Sequence, residues 1–333
     1  MRRLYATAAI GAAPIAGLAL VPSADDHPSG LFILRNIPGG VFGGIYASFR
    51  HYTQSAHQPS ASYEAHATSS NGINVHLVGT SHTNPRSAEA AHAAITSHAN
   101  ASSLAAVAVE CDAQTLALVR CAHEAIEGLP IERVKSEGLG VVREALWNSK
   151  TVRDMADKEG KELESPASIG LPPALTHHLT NDGVLWGDEM RAAADAADAA
   201  GVRVVCLDST ASTAAANATP PSKLGMIAFW LRAYALHPGV DEKSCDEATA
   251  TAVNNALRET MPRTYAELLA AKDERMATAL QKLCILAAGG HAALPRATDA
   301  SSGRQQSVVV AVVGMGHVSG LSQLLDPSRK SET

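Results

Sequence analysis

Four short apolar runs constrain the fold of this chain more than any other feature of its sequence. Strands with one exposed face alternate apolar and polar residues, whereas strands covered on both faces stay apolar along their length. These runs are largely aliphatic or β-branched, so they predict buried strands of a parallel sheet. The runs are residues 73–78, 104–109, 202–207 and 308–313.

Helical patterns separate these runs. Strand alternating with helix implies a parallel sheet with right-handed crossovers. The sequence therefore predicts an α/β fold: a central, mainly parallel sheet with helices on both faces and a helical cap over one end. Helices are predicted over residues 86–99, 113–127, 188–200, 222–236 and 242–288, with breaks near Pro238 and Met261-Pro262, and an exposed loop is predicted over residues 290–307.

Charge and cysteine content exclude several classes of protein. The 333 residues carry a formal net charge of −6 and contain no long basic stripe, which argues against nucleic acid as a partner. The five cysteines include no Cys-X-X-Cys pair, which excludes a zinc ribbon or a thioredoxin-like motif. Three of them lie in apolar runs and are predicted to be small buried side chains, and a disulfide framework is the less favoured alternative.

The N-terminus has the character of a targeting segment. Arg2 and Arg3 precede an uncharged run, and no acidic residue occurs before Asp25 or between Asp26 and Glu64. A basic, acid-poor start predicts a mitochondrial presequence. A secretory signal, a single membrane anchor and a tail without an address are the alternatives, and any membrane association would act through this segment.

The stretch that follows predicts where the ordered domain starts. Residues 51–72 are rich in His, Ser and Ala and end in the turn signal Asn71-Gly72, so the domain is expected to begin at Ile73. The predicted organisation is a targeting segment and flexible linker over residues 1–72, a domain over 73–325 and a tail over 326–333.

Polar residues follow each predicted strand where it ends. Gly79-Thr80-Ser81-His82 follows the first and Gly314-Met315-Gly316-His317 follows the fourth, while Glu110 and Asp208 end the second and third. Ligands of an open parallel sheet bind beyond the carboxyl ends of its strands. We therefore expect His82, Glu110 and His317 to converge at one edge, with polar atoms within about 8 Å of one another.

These residue types indicate metal-assisted or general-base chemistry. Two imidazoles and a carboxylate suit a divalent metal ion such as Mn, Co or Zn, so His82, His317 and Glu110 are predicted ligands. Such an ion polarises a carbonyl and lowers the pKa of its bound water. Without a metal, a His paired with a Glu still acts as a general base. The glycine of each Gly-X-X-His segment is expected to let the chain turn sharply.

Other patterns in the sequence say less about function. No Gly-X-Ser-X-Gly elbow accompanies Ser81, which argues against a serine hydrolase. Glycine-rich phosphate loops are absent from the sequence. The adjacent pair His177-His178 is predicted to lie on a surface loop.

Three segments resemble the TraB family, in the order that the family has them. VHLVGTSHTNPRSAEAA followed by VAVECD resembles its opening, GDEMRAAADAADAAGVRVVCLD its middle and VVAVVGMGHVSGL its close. The resemblance covers about residues 73–325, and the family's relatives include the Tiki proteases and the PrgY and GumN proteins. It implies a central sheet of the kind shared with the erythromycin-esterase and ChaN proteins.

The resemblance also implies a function. In the Tiki branch the two Gly-X-X-His motifs and a glutamate are tied to metal-dependent proteolysis, and by position these roles fall on His82, His317 and Glu110. Glu189 matches the glutamate of the middle motif. Asp208, for which helix capping and catalysis are both open, joins Glu110 and Glu189 as a candidate catalytic acid. The implied function is a hydrolase, in its specific form a metal-dependent peptidase acting on a peptide or protein.

Departures from the family pattern support an alternative. The family's Gly-Asp-Arg after the third strand is here Leu207-Asp208-Ser209, and Thr115 stands near the place of an arginine. The family's Glu-Arg-Asp is here Ala271-Lys272-Asp273. The lost arginines favour a catalytically silent regulator or membrane-associated adaptor, whereas the intact histidines and Glu110 favour the enzyme.

Overall fold

A five-stranded mixed sheet lies at the centre of the fold, formed by β1 (Tyr63–Thr68), β2 (Asn74–Thr80), β3 (Leu104–Val109), β4 (Val204–Cys206) and β5 (Val308–Gly314). The strand order is β1-β2-β5-β3-β4. β1 runs antiparallel to β2, whereas the other neighbours are parallel. The α/β class predicted from the sequence is therefore confirmed.

The computed structural model describes most of the chain beyond its N-terminal region. Several predictions lie outside the described residues: the targeting segment, the His177-His178 loop, nearly all of the 290–307 loop and the tail after residue 326. The described residues are 60, 62–82, 84, 86–127, 133, 136–137, 139–158, 164–166, 187–208, 222–237, 240, 245–289 and 307–326.

The predicted helices lie close to their predicted bounds, whereas the helices over Leu139–Asn148 and Lys150–Lys158 were not predicted. The predicted break at Met261-Pro262 is confirmed, because a new helix begins at Pro262. None of the helices in the described ranges is long and apolar enough to cross a membrane. The helices are α1 (Arg86–Asn100), α2 (Ala113–Glu127), α3 (Leu139–Asn148), α4 (Lys150–Lys158), α5 (Asp188–Ala199), α6 (Lys223–Leu236), α7 (Glu247–Thr260), α8 (Pro262–Tyr265), α9 (Ala271–Gly289) and α10 (Met315–Leu325), with a π-helical turn (Ala266–Ala270) between α8 and α9.

Helices cover both faces of the sheet, which explains why its central strand is apolar throughout. Val309, Ala311 and Val313 of β5 pack in one core with α9 and α10. Val310 and Val312 pack in a second core with α1 and α5. Alternate side chains of a strand point to opposite faces, so a strand covered on both sides needs apolar residues at every position.

A further helical layer, α6 and α7, lies beside the carboxyl end of β5. Phe229 of α6 meets Ala256 of α7 and Met261 in a small apolar core. The Asn254 side chain of α7 donates to the carbonyl oxygen of Gly316 at 2.8 Å. This bond ties the layer to the first turn of α10, where the second Gly-X-X-His segment ends.

The prediction of a linker over residues 51–72, with the domain beginning at Ile73, is wrong from Tyr63 onward. β1 lies inside that stretch and pairs with β2 along its whole length. The predicted turn at Asn71-Gly72 closes this hairpin, with Gly72 at a φ of 78°. β1 is an edge strand with exposed Glu and His on one face and Ala on the other, so its sequence lacks the β-branched content that marks a buried strand.

The glycine of the first Gly-X-X-His segment serves close packing. Neither Gly79 nor Gly314 has the positive φ that favours glycine, so the expected reason, a sharp turn, is wrong. A Cβ on Gly79 would lie 2.5 Å from Val318 Cγ2, 2.9 Å from the Tyr63 carbonyl oxygen and 3.1 Å from Met315 Cα. The missing side chain therefore lets α10 and β1 approach β2.

Gly79→Ala should destabilise the fold, because β2 and α10 must separate to admit a methyl group. Overpacking of this kind costs about 1–3 kcal/mol. Gly140→Ala is the matched control: a Cβ there meets nothing within 4 Å, so the helical position should tolerate alanine or gain up to about 1 kcal/mol. Denaturant unfolding measures both, and equal stability of the two variants would contradict the packing role of Gly79.

Candidate active site

The predicted site residues lie beyond the carboxyl ends of the parallel strands. His82 follows β2, Glu110 follows β3, Asp208 follows β4, and His317 lies in the first turn of α10, directly after β5. Because β5 lies between β2 and β3, the order along this edge is His82, His317, Glu110, Asp208. His317 Nε2 lies 3.3 Å from Glu110 Oε1, while His82 contacts a different carboxylate, Glu189.

Glu189 orients the imidazole of His82. Its Oε1 lies 2.5 Å from His82 Nδ1. Only 3% of the Glu189 side chain is exposed, against 30% of the His82 side chain. Glu189 is the second residue of α5, where the helix dipole favours a negative charge. The pair therefore consists of a buried carboxylate behind an imidazole that reaches the surface.

The environment strengthens His82 as a base. Burial works to lower the pKa of His82, but the charge and the hydrogen bond of Glu189 outweigh it, and the charge of Glu110 adds to them, so the pKa is raised above its ordinary value. With Nδ1 donating its hydrogen to Glu189, Nε2 is the nitrogen that exchanges protons with water or substrate.

Glu110 is a buried carboxylate that is held from several sides. Lys272 Nζ donates to Oε1 at 2.6 Å, and the backbone N–H of Gly314 donates to Oε2. Burial would raise the pKa of Glu110, but the charges of His317 and Lys272 hold it well below its ordinary range. A Cβ on Gly314 would lie 3.2 Å from Oε2. The motif glycine therefore leaves room for the carboxylate at the end of β5.

His317 has a carboxylate on each ring nitrogen. Nδ1 lies 2.6 Å from Asp273 Oδ1, and Nε2 faces Glu110. Burial opposes a charged imidazole, yet the charge of Glu110 and the hydrogen bond of Asp273 raise the pKa of His317 to about 9. At neutral pH His317 is therefore an imidazolium between two carboxylates, and only 10% of its side chain is exposed.

Asp208 belongs to the same set of buried charges. Its side chain is 2% exposed and lies 3.8 Å from Lys272 Nζ and 3.7 Å from Arg275 Nε. Lys272 thus lies between Glu110 and Asp208. Its ammonium ion compensates the charge of these two buried carboxylates, which would be costly to leave unpaired.

Lys272 and Asp273 are site residues that the sequence did not assign to the site. The local signal is a run of charged residues, Lys272 to Arg275, at the start of α9, followed by an apolar helix. Asp273 is 6% exposed. A charged residue is rarely buried without a partner. The partner of Lys272 is Glu110, which lies 162 positions earlier in the chain. Nothing in the local spacing of the sequence indicates that pairing.

His82, His317 and Glu110 remain the predicted metal ligands. Within the part of the chain that the structure describes, no group of three His, Cys, Asp or Glu side chains is placed to hold a metal ion. Lys272 already neutralises Glu110, and a metal ligand must be a neutral imidazole, whereas His317 carries a proton at neutral pH. The metal therefore stays a prediction for experiment.

Comparison with known proteins identifies no family for this chain, so its functional assignment rests on the fold and the site. The chain matches no protein-family model and no curated protein. What the structure defines is an α/β protein with two His–carboxylate pairs at the carboxyl edge of its sheet, one reaching the surface and one buried.

Gly320→Ala should disturb the buried pair selectively. A Cβ on Gly320 would lie 2.0 Å from Asp273 Oδ2, so Asp273 must leave its bond to His317, and the pKa of His317 should fall below about 9. Imidazole ¹⁵N NMR titration measures that pKa. Gly289→Ala, where a Cβ meets nothing within 4 Å, is the control. An unshifted His317 titration in Gly320→Ala would contradict the role given to Asp273.

The raised pKa of His317 predicts a loss of stability at alkaline pH. The folded chain holds this proton more tightly than the unfolded chain, so the stabilisation is complete below pH 6.5 and disappears as the pH rises through about 9. The free energy of unfolding should fall by up to about 3 kcal/mol over that window. Denaturant unfolding at several pH values measures it. His317→Gln should flatten the slope, and an unchanged slope would assign the effect to other groups.

Proposed function

We propose that this chain is a TraB-like hydrolase in which His82, held by Glu189, activates water for attack on an ester or peptide carbonyl. One observation carries the proposal: a partly exposed imidazole lies 2.5 Å from a carboxylate that is almost fully buried. A buried carboxylate fixes the tautomer of the imidazole and stabilises its protonated form, which is the arrangement of a general base.

The proposed reaction uses His82 twice. The oxygen of water bonds to the carbonyl carbon while its proton moves to Nε2 of His82, and the carbonyl electron pair moves onto oxygen. The tetrahedral intermediate then expels the alcohol or amine, which takes the proton back from His82. Glu189 accepts the Nδ1 hydrogen throughout.

The cationic side chains at the same edge support this chemistry. Lys272 and the imidazolium of His317 both lie against Glu110, and Glu110 in turn acts on His82 through its charge. Fixed positive charge close to the base favours the negative charge that develops on a carbonyl oxygen. Glu110 and Asp208 hold Lys272 in place in this proposal and do not exchange protons.

The TraB resemblance of the sequence supports a hydrolase. On the same resemblance we propose a fold related to that of the erythromycin-esterase and ChaN proteins. Its specific form, a metal-dependent peptidase, gives His82, His317 and Glu110 a shared Mn, Co or Zn ion. That form requires Lys272 to leave Glu110 and His317 to lose its proton, so it differs from the proposed form in its response to added metal and to chelation.

A silent adaptor is the rival proposal, and one observation favours it. On α6, Leu224 is 74% exposed and Leu231 is 57% exposed. These residues are seven apart and share one face of the helix. An apolar face of this kind is typical of an interaction surface.

His82→Ala should lower kcat/KM for hydrolysis at least about 100-fold, the usual contribution of a general base. Glu189→Gln keeps the shape of the side chain but removes the charge that raises the pKa of His82. It should therefore lower the rate and move the acidic limb of the pH–rate profile to lower pH. The assay uses p-nitrophenyl esters and fluorogenic peptides, each with EDTA and with added Mn, Co or Zn.

The control is His92→Ala, because His92 is an exposed histidine on α1, and its activity should match the wild type. Activity that survives in His82→Ala would overturn the proposal. Activity that needs added metal and is lost in both His82→Ala and His317→Ala would support the metal-dependent form. A wild-type protein inactive under every condition would favour the adaptor.

A further inference from the structure

Three histidines and a glutamate meet near the amino end of β2, away from the candidate active site. His66 of β1 lies directly opposite His76 of β2, and their rings stack with centroids 4.4 Å apart. His98, in the last turn of α1, meets the His76 ring edge-on, with centroids 5.2 Å apart. Glu64 lies two residues before His66 and therefore on the same face of β1. These four residues are called the histidine cluster below.

Hydrogen bonds hold the two central imidazoles of the histidine cluster. His76 Nδ1 lies 3.0 Å from His98 Nε2. An oxygen faces the far side of each ring: Glu64 Oε2 lies 3.1 Å from His76 Nε2, and Ser103 Oγ lies 3.2 Å from His98 Nδ1. A carboxylate only accepts hydrogen bonds, so a neutral His76 carries its hydrogen on Nε2. Its Nδ1 therefore turns a lone pair towards His98.

The imidazole of His98 presents a lone pair in the same way. The Ser103 hydroxyl donates to the backbone carbonyl oxygen of His98 at 3.2 Å, so its oxygen accepts the hydrogen of His98 Nδ1, and Nε2 carries none. Two lone pairs then face each other, and a cation between them stabilises both. The Ser103 hydroxyl can turn to His98 Nδ1 instead, which places a hydrogen between the rings when no ion is bound. The position between His76 and His98 thus accepts a hydrogen or a metal ion.

Both imidazoles are in the protonation state that a metal ion requires. Burial and the charge of His66 lower the pKa of His76 below its ordinary value, against the opposing charge of Glu64. Burial likewise lowers the pKa of His98. At neutral pH the two rings are therefore mostly neutral, and neutral imidazole is the form that binds metals.

We propose that His76 Nδ1 and His98 Nε2 bind a divalent transition metal ion such as Zn²⁺, with His66 as a third imidazole ligand and water completing the coordination. Nitrogen ligands of a tetrahedral zinc ion lie about 3.3–3.4 Å from each other. The two nitrogens, 3.0 Å apart, therefore need to separate by about 0.3–0.4 Å. No three donor side chains of the described residues already converge on one point, so His66, which is exposed, must turn its ring towards the ion.

The surroundings of the two rings suit a bound metal. A metal-binding histidine usually donates its second ring N–H to an oxygen, which fixes the tautomer and orients the ring. Glu64 supplies that oxygen for His76 and Ser103 supplies it for His98. The Glu64 side chain is 47% exposed, against 7% for His76. The ion therefore has a path from solvent, while its central ligand stays fixed in the fold.

The ion would clamp the end of α1 to the hairpin of β1 and β2. β1 is the edge strand of the sheet, so a bond from its face to a helix should stabilise it. His76 is the third residue of β2, and the four residues from there to Thr80 span about 13 Å. The histidine cluster is thus separate from the candidate active site, and this inference does not rest on the proposed function.

The test adds Zn²⁺ to the full-length chain after dialysis against EDTA and follows the histidine nitrogens by ¹⁵N NMR. The expected result is that zinc shifts His76 Nδ1 and His98 Nε2, while the other nitrogen of each ring keeps its hydrogen. Thermal unfolding should move to higher temperature, because zinc binds the folded chain. Glu64→Ala should weaken zinc binding about 10–100-fold, the usual effect of removing the partner of a ligand.

Alanine variants assign the ligands. His76→Ala and His98→Ala should each abolish zinc binding at the histidine cluster, and His66→Ala should weaken it less, since the two central nitrogens remain. Circular dichroism checks the fold, and the partly exposed His98 gives a usable variant if the buried His76 does not tolerate alanine. His92→Ala, at an exposed histidine of the same helix α1, is the matched control and should bind zinc like the wild type.

His82→Ala separates the histidine cluster from the candidate active site, and it should leave the zinc-induced shifts of His76 and His98 unchanged. Zinc that shifts neither of these two histidines in the wild type would rule the inference out. So would zinc-induced stabilisation that survives in full in a folded His98→Ala variant. Failure of the hydrolase assay leaves this result unaffected, because the readouts are metal binding and unfolding.

Discussion

The buried negative charge of Glu110 is the constraint on which the rest of the site depends. An unpaired charge in a protein interior costs several kcal/mol, so it must be matched by groups in a fixed arrangement. Lys272 of α9, the Gly314 N–H at the end of β5 and His317 of α10 supply that match. Each of these elements is held in one position relative to β3, because moving any of them leaves a buried charge unpaired. The cores on the two faces of the sheet stabilise the elements, but this charge network fixes their relative position at the edge.

Glycines make such close approach feasible. Gly79 admits α10 against β2, Gly314 admits the Glu110 carboxylate, and Gly320 admits Asp273 to His317. In each case the requirement is space for a neighbour rather than an unusual backbone angle. The two Gly-X-X-His segments therefore encode a packing arrangement together with a histidine, which is a more specific condition than a turn followed by a polar residue.

The same short motif places two histidines in different environments, and their chemistry diverges accordingly. His82 lies after a short irregular segment, reaches the surface and pairs with the carboxylate of Glu189. His317 lies inside a helix turn, is buried and has two. The first is suited to exchange protons with a substrate, whereas the second is suited to hold a positive charge. Both histidines lie where the parallel strands end, which is the edge at which an open parallel sheet binds its ligands.

The sequence by itself determined the α/β class, the four apolar strands, five helical segments and the edge at which His82, Glu110, Asp208 and His317 lie. These follow from local periodicity and from the direction of parallel strands. It did not reveal β1, whose short, half-exposed pattern resembles a linker. Only the tertiary structure decided the pairing of the charges: that His82 takes Glu189, that His317 takes Asp273, and that Lys272 holds Glu110. Such contacts join residues far apart in the chain, and their formation depends on helix placement and on the space left by a missing Cβ. The spacing of a motif indicates neither the placement of the helices nor the space beside a glycine. The types of the site residues were therefore predictable from the sequence, whereas their partners were not.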